Sequence, residues 1–249
     1  MVPGTSIISY IATDSIALTA GAAYLGGNYV SAGPIDSSTD TFVMIYQDGA
    51  GGWKEGNPLT GTDIAFVDGG GGNDSLTQTA AKFIIAGYVV GDELTITGSA
   101  NNNITTEILA VTAGIIEVGT GLLTAEAAGP AVTLKVKKHK VDFAHYDDGT
   151  GELALVKNAK YGAFWVWRHA DDGHVYIVYG RGSYSLATAE STSVPTHPGH
   201  LDDFGAWIGT FGMPYGGGNF SYILMAGTRS FSGTAVGNHA LLSNLLVLN

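Results

Sequence analysis

Histidine and aspartate come together in two short stretches, "HADDGH" at 169–174 and "HPGHLDD" at 197–203. In the second stretch, His197, His200 and Asp202 have a spacing that could place two imidazoles and a carboxylate around zinc or another transition metal. That spacing suits one turn of helix. In the alternative interpretation, these histidines lie at the surface or at the edge of the core, without a metal.

A second candidate for metal binding is the acidic stretch "DDGTGE" at 147–152. Asp147 and Asp148 supply the oxygen atoms that calcium prefers, but the stretch lacks the twelve-residue spacing of an EF-hand loop. Two acidic residues before Gly-Thr-Gly also favour a plain β-turn between "VDFAHY" and "ELALV".

Other catalytic patterns are missing from the sequence. There is no Gly-x-Ser-x-Gly elbow, no cysteine for a thiol nucleophile, and no lysine in "GGGGNDS" to make a phosphate loop. The 22 acidic residues include no marked pair for glycoside cleavage. The sequence therefore predicts a protein that is not an enzyme and holds no cofactor.

The charge balance excludes further classes of function. A net charge of −11 argues against binding to a nucleic acid backbone. The one basic run is "LKVKKHK", with Lys135, Lys137, Lys138 and Lys140. Lys135 and Lys137 alternate with apolar positions, which is typical of the exposed face of a strand, although contact with a nucleic acid or an anionic surface is an alternative. No apolar stretch approaches the ~20 residues that span a bilayer, and no export signal is visible, so we expect a soluble protein.

The elements that must position these residues are mainly strands. Short runs rich in β-branched and aromatic residues recur between Gly, Asn, Asp and Ser clusters, which predicts an all-β fold of small antiparallel β-sandwich or barrel modules with little helix. In "FWVWRHADDGHVYIVYG", alternation puts Phe164, Val166 and Arg168 on one face of a strand and Trp165 and Trp167 on the other, and "HADDGH" becomes a hairpin turn. Helix is predicted at 75–87 and, as a short turn, at "HPGHLDDFGAW".

Composition changes divide the chain into three parts. The glycine-rich stretch at 68–75 is predicted to be a flexible linker, and the lysine-rich strand marks a second change of character. We therefore expect an N-terminal β segment at 1–74, a small barrel-like module at 75–136 and an aromatic-rich β-sandwich domain at 137–249. In an alternative, the first part completes the sheet of the third.

Two patterns resemble β modules of tailed-bacteriophage structural proteins. The stretch "FIIAGYVVGDELTITGSANNNITTEILAVTAGIIEV" resembles a module that recurs in those proteins. The matching positions are Gly87, Tyr88, Gly91, Asp92, Leu94, Ile96, Gly98, Ser99, Asn101, Asn102, Val111 and Thr112. The stretch 160–214 is similar to the aromatic strand, hairpin and proline-containing connection of phage tail-fibre proteins. Its matching positions are Tyr161, Phe164, Val166, Trp167, Asp172, Gly173, Val175, Ser185, Pro195, Pro198, Trp207, Ile208 and Gly209.

The resemblance implies a non-enzymatic virion protein, a capsid decoration, cement or head-fibre protein that forms a homo-oligomer, most simply a trimer. Its partners would be the major capsid protein or tail proteins. The alternative is a tail-fibre protein that binds host glycans through exposed aromatic rings. Candidate glycan or subunit contacts are Trp53, Trp165, Trp207, Tyr179 and Tyr184, with Leu245 and Leu246 in a C-terminal arm or last strand.

Overall fold

The computed structural model describes residues 8–12, 14–25, 28–170 and 173–226. Strands are the main regular elements of this part of the chain, accompanied by two short helices, which confirms the all-β prediction. The strands are β1 (Ile8–Ala12), β2 (Ser15–Leu18), β3 (Gly21–Leu25), β4 (Asn28–Ala32), β5 (Ile35–Asp36), β6 (Val43–Gln47), β7 (Trp53–Glu55), β8 (Leu59–Gly61), β9 (Ile64–Val67), β10 (Asp74–Gln78), β11 (Glu93–Thr97), β12 (Thr105–Glu107), β13 (Ala110–Val111), β14 (Ile115–Val118), β15 (Val132–Lys137), β16 (His145–Asp147), β17 (Leu153–Leu155), β18 (Tyr161–His169), β19 (Val175–Tyr179), β20 (Gly205–Pro214) and β21 (Tyr222–Met225). The helices are α1 (Leu186–Ser191) and α2 (Gly199–Phe204).

The largest sheet has six strands in the order β21-β20-β18-β19-β6-β7. Its centre is the aromatic hairpin that the sequence predicted, with β18 antiparallel to β19. Strand β6 adds to β19 in parallel, and β7 then forms the edge. The N-terminal part of the chain therefore completes the sheet of the C-terminal part, as the alternative interpretation held.

Side chains cover both faces of this sheet. Phe164 and Val166 pack into one core with strands β1 and β2, whereas Trp165 and Trp167 pack into a second core beneath α1 and α2. The predicted alternation is correct, but neither face is left to solvent. The nine residues of β18 are accordingly a nearly continuous buried run, which is typical of a strand covered on both sides.

The middle module is a sandwich of two four-stranded sheets, β12-β11-β15-β8 and β13-β14-β10-β9. Alternate residues of the longer strands, such as Leu76 of β10 and Leu134 of β15, are buried in a shared core. Because β8 and β9 pair with β15 and β10, strand pairing places the start of this module at Leu59 and not at residue 75. The expected division at residue 74 falls inside the sandwich.

The glycine-rich stretch at 68–75 is a hairpin turn between β9 and β10, and not a linker. Gly69 donates its backbone N–H to Asp74 Oδ1 at 2.8 Å, and Gly70 donates to Asp68 Oδ1 at 2.8 Å. These carboxylates fix a turn that the glycines alone could not order.

The helix predicted at 75–87 is also wrong. Residues 74–78 form β10, because pairing with β9 and β14 buries Leu76 between Phe66 and Ile116. The short helix predicted in "HPGHLDDFGAW" is confirmed as α2. Within the described residues, no helix has the length and apolar character needed to cross a membrane.

Candidate functional site

Of the three proposed metal ligands in the second histidine stretch, His197 and Asp202 contact each other, but His200 points elsewhere. His197 Nδ1 lies 2.9 Å from the Pro195 carbonyl oxygen, and its Nε2 lies 2.8 Å from Asp202 Oδ1. His200 instead points to Glu55, with 3.7 Å between Nε2 and Oε1. Among the described residues, no three His, Asp or Glu side chains are arranged to hold a metal ion.

These histidines belong to an aromatic cover over the outer face of the large sheet. The His197 ring lies 4.6 Å from the Trp167 ring, and the His200 ring lies 5.6 Å from that of Tyr176. Since α2 also buries Leu201 against the sheet, the histidines lie at the edge of the core, as the alternative interpretation expected.

The acidic stretch at 147–152 is the turn of the β16–β17 hairpin. Asp147 is buried, and its Oδ2 accepts from the Gln47 backbone N–H at 2.9 Å and from Arg181 at 2.5 Å. Asp148 is exposed, and its Oδ1 accepts from the hydroxyl of Thr150, which lowers the pKa of Asp148. Protein donors therefore engage both carboxylates, which fits the β-turn interpretation rather than a calcium loop.

Two of the five aromatic candidates are not surface residues. Trp165 is 1% exposed and Tyr179 is 0% exposed, because both lie in central strands of a sheet that is covered on both faces. Their predicted exposure is wrong. Trp53, Trp207 and Tyr184 are half-buried. Leu245 and Leu246 lie outside the described residues.

The half-buried aromatics occupy different ends of the large sheet. Trp207 of β20 is opposite Trp167, which is in turn opposite Tyr176 of β19. Trp53 is opposite Gln47, at the far end of β6 from this row. The chain therefore presents separate rings rather than one aromatic platform.

Sequence reasoning missed a buried polar network where the middle module meets the large sheet. Lys138 and Asp92 are both fully buried, and Lys138 Nζ lies 2.7 Å from Asp92 Oδ2 and 2.6 Å from the Gly87 carbonyl oxygen. Both residues directly flank paired strands, since Glu93 of β11 is opposite Lys137 of β15.

The second half of this network is centred on Asp142. His145 Nδ1 lies 2.9 Å from both Asp142 carboxylate oxygens, and the Tyr179 hydroxyl donates to Oδ2 at 2.8 Å. Asn57 lies beside this half, because its amide is 3.4 Å from the Tyr179 hydroxyl and donates at 2.8 Å to the carbonyl of Ala86, the residue before Gly87. We call these residues the junction network: Asn57, Asp92, Lys138, Asp142, His145 and Tyr179.

Burial and charge act in opposite directions on the two aspartates of the junction network. Burial raises the pKa of Asp92 and outweighs the opposing effect of Lys138. Burial also acts to raise the pKa of Asp142, but the His145 imidazole, the Lys138 charge and the Tyr179 hydroxyl together hold it below its ordinary value of 3.8. Asp142 is therefore held as a carboxylate.

This lowered pKa predicts a pH dependence of stability. A carboxylate with a lowered folded-state pKa stabilises the fold above its ordinary pKa, and that contribution is lost as pH falls through the folded-state value. We expect the difference in unfolding free energy between wild type and Asp142→Asn to shrink below about pH 4. Urea titrations at several acidic pH values measure it, with Asp203→Asn on α2 as the exposed control. A difference that stays constant with pH would contradict the assignment.

The two sheets of the middle module present contrasting outer faces. The face of the β12-β11-β15-β8 sheet is polar, with Thr, Glu and Lys side chains and an ion pair of 3.4 Å between Lys137 and Glu93. The outer face of the other sheet has one charged side chain, Glu117. We call it the apolar face, and its residues are Ala65, Val67, Ser75, Thr77, Ala110, Ile115 and Glu117.

The apolar face leaves large side chains in contact with solvent. Val67 is 45% exposed and Ile115 is 42% exposed. Leu109 and Leu122, which flank the same sheet, are exposed to a similar degree. Large apolar side chains that are exposed on or beside one sheet favour a contact surface for another protein.

Fold and contacts together define an all-β protein in which a β-sandwich is joined to a six-stranded sheet by a buried polar network. Comparison of the chain with protein-family models, with curated proteins and with solved structures finds no match.

Proposed function

We propose that the protein is a non-enzymatic structural component of a tailed-bacteriophage particle, a capsid decoration, cement or head-fibre protein. It acts in the virion as a homo-oligomer, most simply a trimer, bound to the major capsid protein or a neighbouring virion protein. The observation that carries the proposal is the apolar face, because a sheet surface with a single charged side chain and exposed Val67 and Ile115 is suited to permanent contact with another subunit.

The two phage-type sequence patterns support this proposal. Gly91 has a φ of 91°, so that the chain turns directly into β11 as the first pattern requires, and β12 returns antiparallel to it. In the second pattern, β18, β19 and β20 are adjacent strands of one sheet. These strand pairings support the proposal.

The hydrogen bonds of the candidate metal ligands support a non-enzymatic role. His197, Asp147 and Asp148 are bonded to other protein groups in turns and at the edge of the core. The junction network is buried between two cores, where a substrate has no access. These polar groups stabilise the fold.

Subunit contact through the apolar face predicts that a charge introduced on this face weakens self-association. Ile115→Lys places a charge in the contact, and we expect it to weaken self-association at least about 100-fold, since an unpaired buried charge costs several kcal/mol. The measurement is the mass in solution by light scattering. The expected masses are those of an oligomer for the wild type, with and without EDTA, and of a monomer for the variant.

Thr95→Lys, on the polar outer face of β11, is the matched control and should keep the oligomer. A wild type that is monomeric at every concentration would contradict self-association. An Ile115→Lys variant that remains oligomeric would contradict the assignment of this face.

A second candidate function is that of a tail-fibre protein that binds host glycans. The half-buried rings of Trp53, Trp207 and Tyr184 favour it, since sugar rings stack on partly exposed aromatic side chains. A glycan array separates the two proposals. Specific binding to one sugar class favours the tail-fibre role, and absence of binding favours the decoration or cement role.

A further inference from the structure

Lys138 and Asp92 form an unusually close and dry pair. Their side chains are 0% and 1% exposed, and 2.7 Å separates Lys138 Nζ from Asp92 Oδ2. The pair lies one register step beyond the last partners of β11 and β15, Glu93 and Lys137. Because side chains alternate along a strand, Glu93 and Lys137 point outward while Asp92 and Lys138 point into the protein.

When both residues are charged, one polar atom of this ion pair lacks a hydrogen-bond partner among the described residues. Lys138 Nζ has two acceptors, the Gly87 carbonyl and Asp92 Oδ2, and Oδ2 also accepts from the Val89 backbone N–H at 3.0 Å. Asp92 Oδ1 is buried without a hydrogen-bond partner in the part of the chain that the structure describes. A buried carboxylate with an unpaired oxygen is costly, and an uncharged product would remove that cost.

We propose that Lys138 and Asp92 condense to an isopeptide bond that covalently joins the end of β15 to the start of β11. The site is a modification site formed by this chain alone, and it does not depend on the proposed function. No further reactant is required, because an amine and a carboxylic acid form an amide with loss of water.

The reaction begins with transfer of one proton from the Lys138 ammonium to the Asp92 carboxylate. The neutral amine then attacks Asp92 Cγ, and a bond forms between Nζ and Cγ. The bond between Cγ and one carboxyl oxygen breaks, and that oxygen leaves as water with the proton from the acid and one proton from the amine. No group is oxidised or reduced.

The surroundings favour each of these steps. Burial raises the pKa of Asp92, which favours the neutral acid form of the carboxyl group that the amine attacks. The charge of Asp142 acts in the same direction on Asp92. Holding the reacting groups in contact replaces an encounter in solution with an effective concentration of about 10⁵ M or more.

Mass spectrometry of the purified, denatured chain tests the bond. We expect the intact mass to be lower than that of the sequence by one molecule of water. Trypsin should release residues 83–135, which contain Asp92 and no internal Lys or Arg, joined to residues 138–140. Recovery of 83–135 as a separate, unmodified peptide would overturn the proposal.

Loss of water has a second possible origin, which the peptide map distinguishes. Asp-Gly sequences such as Asp68-Gly69 can close to a succinimide with the same loss of mass. A succinimide leaves the two tryptic peptides unjoined, and that result would also overturn the proposal.

Two variants serve as controls for the chemistry. Lys138→Arg keeps a positive charge but has no amine, and we expect its mass to equal that of its sequence. Asp92→Asn retains a carbonyl that the amine can attack, and we expect it to lose one molecule of ammonia instead of water. If either variant fails to fold, the peptide map of the wild type still decides the question.

Discussion

Replacing Asp142 with alanine is expected to lower the free energy of unfolding by about 3–5 kcal/mol. The carboxylate is buried, and it accepts from the Tyr179 hydroxyl while both of its oxygens contact the His145 ring. The substitution leaves these two side chains buried without their acceptor, which costs more than the lost bonds alone. Denaturant unfolding followed by circular dichroism measures the change.

Asp148→Ala is the matched control for this substitution. Asp148 is exposed in the β16–β17 turn and accepts from its near neighbour Thr150, so we expect a cost below about 1 kcal/mol. Similar losses in the two variants would contradict the structural importance of the junction network.

Truncation of Trp165 to alanine is expected to lower the unfolding free energy by about 3–5 kcal/mol. Trp165 lies in the central strand β18 and is among the largest fully buried side chains. Its ring packs in the second core with Ala189 of α1 and Leu201 of α2, so its removal leaves a cavity that these short helices cover. The readout is again circular dichroism, which a lost tryptophan does not distort as it distorts fluorescence.

Trp53→Ala provides the control with the same chemistry at the sheet edge. Trp53 is half-buried on β7, and we expect a cost of about 1 kcal/mol. An equal loss of unfolding free energy in the two variants would contradict the expected contribution of Trp165 to the second core.

Local patterns predicted the elements of the fold well. Alternation in "FWVWR" separated Phe164 and Val166 from Trp165 and Trp167 correctly, and the antiparallel pairing of β18 with β19 and the short helix α2 were found. What alternation could not reveal is that helices cover the tryptophan face. That cover depends on residues 186–204, which are distant from β18 in the sequence and show only weak helical periodicity.

The junction network was missed although its signal is present in the sequence. In β15 the inward positions are Val132, Leu134 and Val136, and the next inward position is Lys138. A basic residue at the end of an apolar alternation indicates a buried cation rather than an exposed one. Its partner Asp92 lies 46 residues away, so that sequence spacing could not identify the pair.

The glycine stretch at 68–75 misled for a similar reason. Four glycines indicate a flexible linker when only the backbone is considered, yet Asp68 and Asp74 at its ends supply the acceptors that order a hairpin. Long-range pairing of β10 with β9 and β14 likewise outweighed the helical spacing in 75–87.

The parallel pairing of β6 with β19 has a consequence for the order in which the chain folds during synthesis. The whole middle module lies between these two strands in the sequence, and its ends are adjacent, since Val136 donates to the Gly56 carbonyl at 2.8 Å. The middle module is therefore inserted between β6 and β19, and the strands of its two sheets pair with one another. Strand β6, with the apolar Met44 and Ile45, leaves the ribosome long before its partner exists. The middle module is thus able to fold first. Strand β6 pairs with β19 only after the last third of the chain has been synthesised.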